Sequence, residues 1–168
     1  MFMIYFFWGD GIMKIQTGYL YHIKDDFFKD INDNNLMVNH EGKKKRPTYF
    51  TIKDKDILWF IPLSSKVEKY TKIIDKKIKK YGRCDTILIR EILGKDSVIL
   101  LQNAFPTLEK YIDHVHLLDN GKPAKVIESL KDEILEKFNY LLKLKANGVN
   151  LFFTDIDSIK SQLLKELQ

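Results

Sequence analysis

Short runs of aromatic and β-branched residues, divided by turn residues, predict a series of strands along most of the chain. These runs lie at residues 17–23, 48–52, 56–62, 85–92, 98–102 and 111–118. Residues 53–55 join the second and third runs, and a turn at 94–96 joins the fourth and fifth, so each pair is typical of a hairpin. Residues 108–112 are also compatible with a short helix.

Apolar residues that recur every three or four positions predict four helices. The helices cover residues 25–31, 66–81 and 124–147, and the last begins at Thr154 or Asp155. Ser64 and Ser65 stand before the second helix, where a hydroxyl can cap the N-terminus, and Gly82 follows its last residue. Hairpins that alternate with helices, without a linker, predict a single α+β domain with a largely antiparallel sheet.

The first eight residues form an apolar run that needs its own interpretation. The run is far shorter than the roughly 20 residues that cross a bilayer, and no basic stretch precedes it as in a signal peptide. It is compatible with an N-terminal strand, with an apolar segment that faces a partner, or with an extension from an upstream start codon. We favour the extension, which divides the chain into residues 1–12 outside the core and a single domain over 13–168. No other segment has the pattern of a membrane span, so we expect a soluble cytoplasmic protein.

Positive charge is concentrated in the middle of the chain. Residues 43–90 carry fifteen Lys and Arg against five Asp and Glu, whereas the flanking parts are each slightly acidic. The overall net charge of +5 therefore hides a local excess of ten positive charges. Such an excess favours a phosphate-bearing partner, although lysines are also common on helix faces that contact only water.

Several kinds of chemistry find no support in the sequence. The single cysteine, Cys84, excludes an intramolecular disulfide and a zinc site built from cysteines. His114 and His116 share one face of a predicted strand, a spacing known from metal sites, but no third ligand is evident. Neither a glycine-rich phosphate loop nor a serine nucleophile elbow is present. We therefore expect no metal and no cofactor.

The hairpin predicted over residues 48–62 places cations beside two serine hydroxyls. Residues 45–48 begin one strand and residues 62–66 end the other, so the two segments are neighbours across the hairpin. Hydroxyls, cations and the N–H groups of a helix N-terminus together can bind a phosphate. Such a site can stabilise the extra charge of a pentavalent phosphorus without a metal, and RNA supplies its own nucleophile, the 2′-hydroxyl. In the alternative interpretation, Ser64 or Ser65 only caps the helix.

At these residues the chain resembles a known family. It shares several short stretches, in the same order, with the toxins of type III toxin–antitoxin systems, the ToxN/AbiQ family, and is most similar to the CptN-like branch. The stretches are YLYHI at residues 19–23, RPTYFTI at 46–52, IPLSSK at 61–66, LQNAFP at 101–106 and LFFTDI at 151–156. The resemblance covers the chain from about residue 17 to its end.

The resemblance implies a fold, an activity and a partner. The implied fold is a compact, partly open antiparallel β-barrel with peripheral helices, similar to the MazF/Kid-like toxins. The implied activity is a metal-independent, sequence-specific endoribonuclease that cleaves cellular mRNA, leaves 2′,3′-cyclic phosphate ends and serves phage defence by abortive infection. The implied partner is a repeat-containing pseudoknot RNA antitoxin, which the toxin cuts from its precursor and which then inhibits it. The branch also implies a closed assembly of two protein and two RNA molecules.

The resemblance and the charge pattern together suggest site residues. The catalytic candidates are the phosphate-binding Ser64, Ser65 and Thr48, the charge-stabilising Lys66 with Lys45 or Arg46, and His40 as a general acid or base. The candidates for holding RNA are Lys43, Lys44, Tyr49, Lys69, Tyr70, Lys72, Lys76, Lys80 and Asn103. The ToxN type has a lysine where this chain has Thr48, so the sequence leaves open which cation acts.

Two further hypotheses fit the same sequence. A non-catalytic RNA-binding module would use the basic surface, and its affinity for RNA would fall with salt without any cleavage. A peripheral membrane protein would use the apolar start of the chain together with the basic helix. Deleting residues 1–12 separates the membrane hypothesis from the others, because only membrane binding needs the apolar segment.

Overall fold

The computed structural model describes residues 5–8, 11–31 and 33–168. The strands are β1 (Tyr5–Trp8), β2 (Gly11–Lys14), β3 (Leu20–Ile23), β4 (His40–Glu41), β5 (Lys44–Lys45), β6 (Thr48–Asp54), β7 (Ile57–Ser64), β8 (Leu88–Ile92), β9 (Lys95–Ile99), β10 (Phe105–Thr107) and β11 (Ile112–Val115). The helices are α1 (Asp25–Asp30), α2 (Val67–Tyr81), α3 (Glu128–Ala146) and α4 (Ile156–Lys165). Within the described ranges, no helix has the length and apolar content that a membrane span requires. The protein is therefore of the α+β class, as its sequence predicts.

Seven of the strands form one antiparallel sheet around β7. Their order is β11-β3-β6-β7-β9-β8, and β10 pairs with the earlier part of β7 while β9 pairs with its end. All eight residues of β7 are buried, which suits a strand with partners on both edges and a covered surface on both faces. The outer strands β11 and β8 do not pair with each other in the part of the chain that the structure describes. The sheet is thus partly open, which confirms the predicted fold.

The apolar start of the chain includes a β-hairpin. Strand β1 pairs with β2 from Tyr5, opposite Lys14, to Trp8, opposite Gly11. Residues 1–4, 9 and 10 of the predicted extension lie outside the described residues. The division of the chain at residue 12 stays a prediction, although the hairpin continues across it to Lys14.

An aromatic core covers both faces of β7. Trp59 and Phe60 are adjacent in the strand, so their side chains point to opposite faces of the sheet. Trp59 contacts Phe138 of α3 with ring centroids 5.6 Å apart. Phe60 stacks on Phe105 of β10, which in turn stacks on Phe27 of α1 with centroids 5.3 Å apart. Helix α3 therefore covers one face, and α1 covers the other, where Phe60 and Phe105 of the paired strands β7 and β10 lie side by side.

Helix α2 packs on a second, smaller core. Its buried Tyr70 lies with Val98 and Leu100, which come from β9 and the residue after it. The opposite face of the helix carries exposed lysines, as its apolar periodicity predicts. The helix ends at Gly82, whose φ is +77° and whose N–H donates to the carbonyl of Ile78.

The structure corrects three local predictions. Ser64 is the last residue of β7 and Lys66 is the N-cap of α2, so the N-cap position does not belong to a serine. Residues 39–46, for which the sequence predicts no strand, contain the short hairpin of β4 and β5. The turn between β8 and β9 consists of Leu93 and Gly94, because both residues have positive φ, and it lies one residue earlier than predicted.

The turn between β8 and β9 contains a strained residue. The φ of Leu93 is +55° and that of Gly94 is +76°, which are typical of a type I′ turn. This conformation costs a residue with a branched side chain about 1 kcal/mol, whereas asparagine tolerates it. Because the side chain of Leu93 is exposed, we expect Leu93→Asn to raise the free energy of unfolding by about 1 kcal/mol in a urea titration. The control is Ile92→Asn, which places an amide at a buried position and is expected to lower the free energy of unfolding. If Leu93→Asn does not raise the free energy of unfolding, the strain at Leu93 is contradicted.

Candidate active site

A cleft of about 530 Å³ lies at the end of β7. One wall comes from the turn between β8 and β9, and the other from the start of β3 and the segment that follows β11. Its polar lining residues are Lys44, Ser64, Ser65, Lys95, Ser97, His116 and Asp119. The cleft therefore gathers side chains from segments that are far apart in the sequence.

The two serines predicted from the sequence line this cleft. Ser64 is only 4% exposed, and its Oγ accepts the backbone N–H of Lys66 at 3.2 Å. That bond closes a serine turn with Ser65 at its centre, and Ser65 is exposed. Ser64 thus closes the turn, and Ser65 at its centre is the exposed serine of the cleft lining.

Two lysines bring positive charge to the cleft. Lys44 comes from β5 and belongs to the predicted RNA-binding residues, whereas Lys95 at the start of β9 was not predicted. Both are exposed, and Asp119 is the carboxylate in the lining. Lys66 is exposed at the start of α2 but is not among the residues that line the cleft. The lining carries more positive than negative charge, which favours an anion such as a phosphate.

Arg46 and Thr48 support the sheet in this structure. Arg46 is 5% exposed, and its guanidinium donates from Nη1 to the carbonyl of Leu63 at 2.7 Å and from Nε to that of Val38 at 3.2 Å. Thr48 is 1% exposed, and its hydroxyl donates to the carbonyl of Tyr21 at 3.2 Å. Both side chains are buried and neither residue is among those that line the cleft, so in this structure they support β7 and β3, and their contact with phosphate stays a prediction.

Lys45 and His40 lie against carboxylates outside the cleft lining. Nζ of Lys45 donates to Oδ2 of Asp113 at 2.9 Å, and Nε2 of His40 lies 2.9 Å from Oδ1 of Asp25. The hydrogen bond from Lys45 lowers the pKa of Asp113, and the same bond raises the pKa of Lys45. The structure therefore does not bring His40 to the serines, where the sequence placed a general acid or base.

The predicted RNA-binding residues fall into two groups. Tyr49 is 0% exposed and Tyr70 is also buried, so neither ring offers a face on which a base can stack. Asn103 is half-buried in a single turn of 3-10 helix and is not among the residues that line the cleft. The exposed residues are the lysines Lys43, Lys44, Lys69, Lys72, Lys76 and Lys80. Their contacts with RNA stay a prediction, because exposure is equally typical of a helix face that contacts only water.

The imidazole of His116 also lines the cleft, and like Lys95 it is not among the site residues that the sequence suggests. This residue follows β11, and its Nδ1 lies 2.9 Å from Nε2 of the buried His22 in β3. The ring of His114 stacks on that of His22 with centroids 4.6 Å apart. The spacing of residues 114 and 116 gave a partial signal, but the third histidine enters only through the pairing of β11 with β3.

Burial keeps the two hydrogen-bonded imidazoles neutral. It lowers the pKa of His22 to about 4, with a further contribution from the repulsion of His114 and His116. Burial and then the repulsion of His114 also lower the pKa of His116 below its ordinary value. Within the described residues, no group of three or more His, Cys, Asp or Glu side chains is arranged to hold a metal ion. The three histidines instead form a hydrogen-bonded and stacked cluster.

By sequence, the chain matches no family model and no curated protein. By structure, it is similar to AbiQ, a lactococcal anti-phage endoribonuclease that belongs to the type III toxin–antitoxin system. The similarity covers 91% of this chain and 100% of the AbiQ chain, with a TM-score of 0.70 and a sequence identity of 14%. This chain has the AbiQ fold. At so low an identity the comparison shows the fold alone, and it is the fold that the resemblance to the ToxN/AbiQ family implies.

Two of the sequence stretches that resemble the family lie at the cleft of this AbiQ-like fold. The stretch IPLSSK at residues 61–66 is among those that suggested the family, and it contains both serines of the cleft. The stretch RPTYFTI at 46–52 forms the neighbouring strand, whose Arg46 holds the carbonyl of Leu63 just before those serines. Both stretches thus contribute to the lining of the cleft, which contains Pro47 from the second and Leu63, Ser64 and Ser65 from the first.

Proposed function

We propose that this protein is the toxin of a type III toxin–antitoxin system and acts as a metal-independent endoribonuclease. The observation that carries the proposal is the cleft at the end of β7, where the exposed Ser65 lies in one lining with Lys44 and Lys95 in an AbiQ-like fold. Hydroxyl and ammonium groups are donors that bind phosphate, and the excess of ten positive charges over residues 43–90 suits a polyanionic substrate.

The proposed reaction uses the substrate's own 2′-hydroxyl as the nucleophile. The 2′-oxygen attacks the adjacent phosphorus and the 5′-oxygen of the next nucleotide leaves, so the products carry a 2′,3′-cyclic phosphate and a 5′-hydroxyl. Negative charge on the phosphoryl oxygens grows as the phosphorus becomes pentavalent. Ser65 donates a hydrogen bond to one of these oxygens, and the ammonium groups of Lys44 and Lys95 stabilise the charge.

The proposed partner is an antitoxin RNA made of pseudoknot repeats, which the protein cuts from a precursor and then retains. Support comes from α2, whose outward face is rich in exposed lysines close in sequence to the cleft serines. Lys72 pairs with Glu68 one helical turn away, and both side chains are exposed. Because an exposed ion pair contributes little to stability, a phosphate of the RNA can take the place of Glu68 at little cost. Cleavage of cellular mRNA at defined sequences, a closed assembly of two proteins and two RNAs, and phage defence belong to the same proposal.

Cleavage in EDTA tests this function directly. A long mixed-sequence transcript is incubated with the protein, and the 3′ ends of the fragments are identified by their resistance to a phosphatase until acid opens the cyclic phosphate. We expect discrete fragments with cyclic phosphate ends. We expect Lys44→Ala/Lys95→Ala to lower kcat/KM by about 10- to 100-fold, because the variant removes both cations that line the cleft.

The control variant removes the same charge elsewhere. Lys53 and Lys165 are exposed, and Lys53 lies six residues along β6 from Pro47, about 20 Å from the cleft. Lys53→Ala/Lys165→Ala is expected to keep its rate at constant salt. Equal losses in the two double variants would mean that only net charge matters. Tight binding of intact RNA by the wild type would contradict the catalytic function and support a non-catalytic RNA-binding module.

A further inference from the structure

We propose that His116 is the general base of the RNA cleavage and that His22 is a positioning residue that holds it. The inference rests on the proposed function, because it assigns the proton transfer of that reaction to a residue of the same cleft. His116 lines the cleft together with Ser65 and Lys44, on the wall that follows β11. It is the histidine that the described cleft contains, whereas His40 lies on Asp25 outside the lining.

The sheet fixes the orientation of the His116 ring. His22 is buried in β3 and pairs across the sheet with His114 of β11, so the position of its ring is set by the backbone. Its Nε2 lies 2.9 Å from Nδ1 of His116. With Nδ1 engaged there, Nε2 is the nitrogen of His116 left for a ligand in the cleft. The arrangement resembles the way enzymes orient a catalytic imidazole through its second nitrogen.

The proton-accepting role determines the tautomers. For Nε2 of His116 to accept a proton, Nδ1 must carry hydrogen and donate it to Nε2 of His22. The hydrogen of neutral His22 then lies on Nδ1, a buried atom without a hydrogen-bond partner among the described residues. When His116 becomes an imidazolium, its donation to His22 becomes charge-assisted and stronger. His22 therefore contributes most at the moment when His116 holds the proton.

The charges around His116 keep its resting form neutral. On the sheet side it faces His22 and His114, and the repulsion of His114 adds to burial in lowering its pKa below the ordinary value of 6.5. In the cleft, Lys44 and Lys95 disfavour a further cation, and Asp119 favours one. Asp113 beside His114 is neutralised by its bond with Lys45. A neutral imidazole at physiological pH is the form that a general base requires.

The proton of the 2′-hydroxyl passes to His116 during cleavage and returns to the products through water. Nε2 of His116 removes the proton of the 2′-hydroxyl while the 2′-oxygen forms a bond to phosphorus. The bond between phosphorus and the 5′-oxygen breaks, and the 5′-oxygen leaves with the electron pair and takes a proton from water. The imidazolium then returns its proton to the hydroxide so formed, which restores neutral His116 and consumes nothing beyond the RNA linkage.

The test measures kcat for cleavage of the transcript by the wild type and the histidine variants in EDTA. The measurements run from about pH 4.5 to about pH 8.5, the range over which histidines titrate. The wild type is expected to lose rate on acidification, with a midpoint below pH 6.5, because the base must be deprotonated to act. His116→Ala should lower the plateau kcat by about 100-fold or more and abolish this acid limb, and imidazole added to the buffer should restore part of the rate. His116→Asn retains a polar partner for His22, guards against a folding defect, and should be as slow.

Two more histidine variants separate a catalytic role from a structural one. His114→Ala removes the repulsion that lowers the pKa of His116, so its acid limb should move to higher pH. His40→Ala tests the competing assignment made from the sequence. The inference is overturned, and the proposed function stands, if His116→Ala cleaves RNA as fast as the wild type. It is also overturned if added imidazole and acidification change kcat by the same factor in His116→Ala and in the wild type. If the wild type cleaves no RNA, the proposed function and the inference fall together.

Discussion

The double variant Ser64→Ala/Ser65→Ala is expected to lower kcat for RNA cleavage by about 100- to 1,000-fold, the loss typical of removing donors that stabilise a developing oxyanion. Ser65 is exposed in the cleft lining and, in the proposed function, donates to the phosphate, whereas Ser64 closes the turn that carries it. The free energy of unfolding should fall by about 1 kcal/mol, because the variant loses the hydrogen bond that Ser64 accepts from the N–H of Lys66. Cleavage kinetics and a urea titration on the same preparation provide the two measurements.

The two single variants separate the contributions of Ser64 and Ser65 to the loss in kcat. Ser65→Ala should carry most of the loss in kcat, and Ser64→Ala should act by loosening the turn, with a smaller loss and a lower free energy of unfolding. Ser97→Ala is the matched control, because Ser97 lines the same cleft but donates its hydroxyl to the carbonyl of Lys95 at 3.3 Å. A loss as large in Ser97→Ala as in Ser65→Ala would mean that the cleft tolerates no serine replacement, and the specific role of Ser65 would be refuted.

The second large effect is on stability: Arg46→Ala is expected to lower the free energy of unfolding by about 3 kcal/mol. The guanidinium is buried and donates to the carbonyls of Leu63 and Val38, which join the end of β7 to the segment before β4. Truncation leaves the buried carbonyl of Leu63 without this donor and empties the buried space that the guanidinium fills, and such losses cost more than an average hydrogen bond adds. Thermal and urea unfolding measure the change.

Arg46→Lys distinguishes support of the sheet from a catalytic charge. A lysine keeps the positive charge but has a single nitrogen, so it cannot hold two carbonyls that a planar guanidinium reaches together. We expect Arg46→Lys to remain clearly less stable than the wild type, and its cleavage to fall only as its folded fraction falls. If Arg46→Lys instead keeps the stability of the wild type and loses cleavage, the result would support the contact with phosphate that the sequence suggested for Arg46.

The elements of the fold could be predicted because their signals are local. Apolar periodicity gave α2 and α3, and alternation gave the hairpin of β6 and β7 that brings residues 45–48 beside residues 62–66. The same hairpin made the position of the serines at one end of the sheet predictable. The turn at Leu93 was placed one residue late because the sequence pattern favours glycine there, and the backbone accepts a strained leucine before it.

The rest of the site could not be predicted because it depends on which elements cover which face. Thr48 and Tyr49 alternate along β6, and both are buried because the sheet is covered on both sides, which no strand pattern reveals. His116 gains its partner only when β11 pairs with β3, more than 90 residues apart in the sequence. Lys95 reaches the cleft because β9 pairs with the end of β7. Each of these contacts is a product of tertiary structure.

The construction of the cleft also has a consequence for the timing of synthesis. Its lining runs from Leu20 to Asp119, and one wall requires β11, which pairs with a strand made near the start of translation. A growing chain thus cannot complete the cleft until most of the polypeptide has left the ribosome, and closing contacts so distant in sequence is slow. Under the proposed function, the cleft that would contact RNA is therefore incomplete in the nascent protein until β11 has been made.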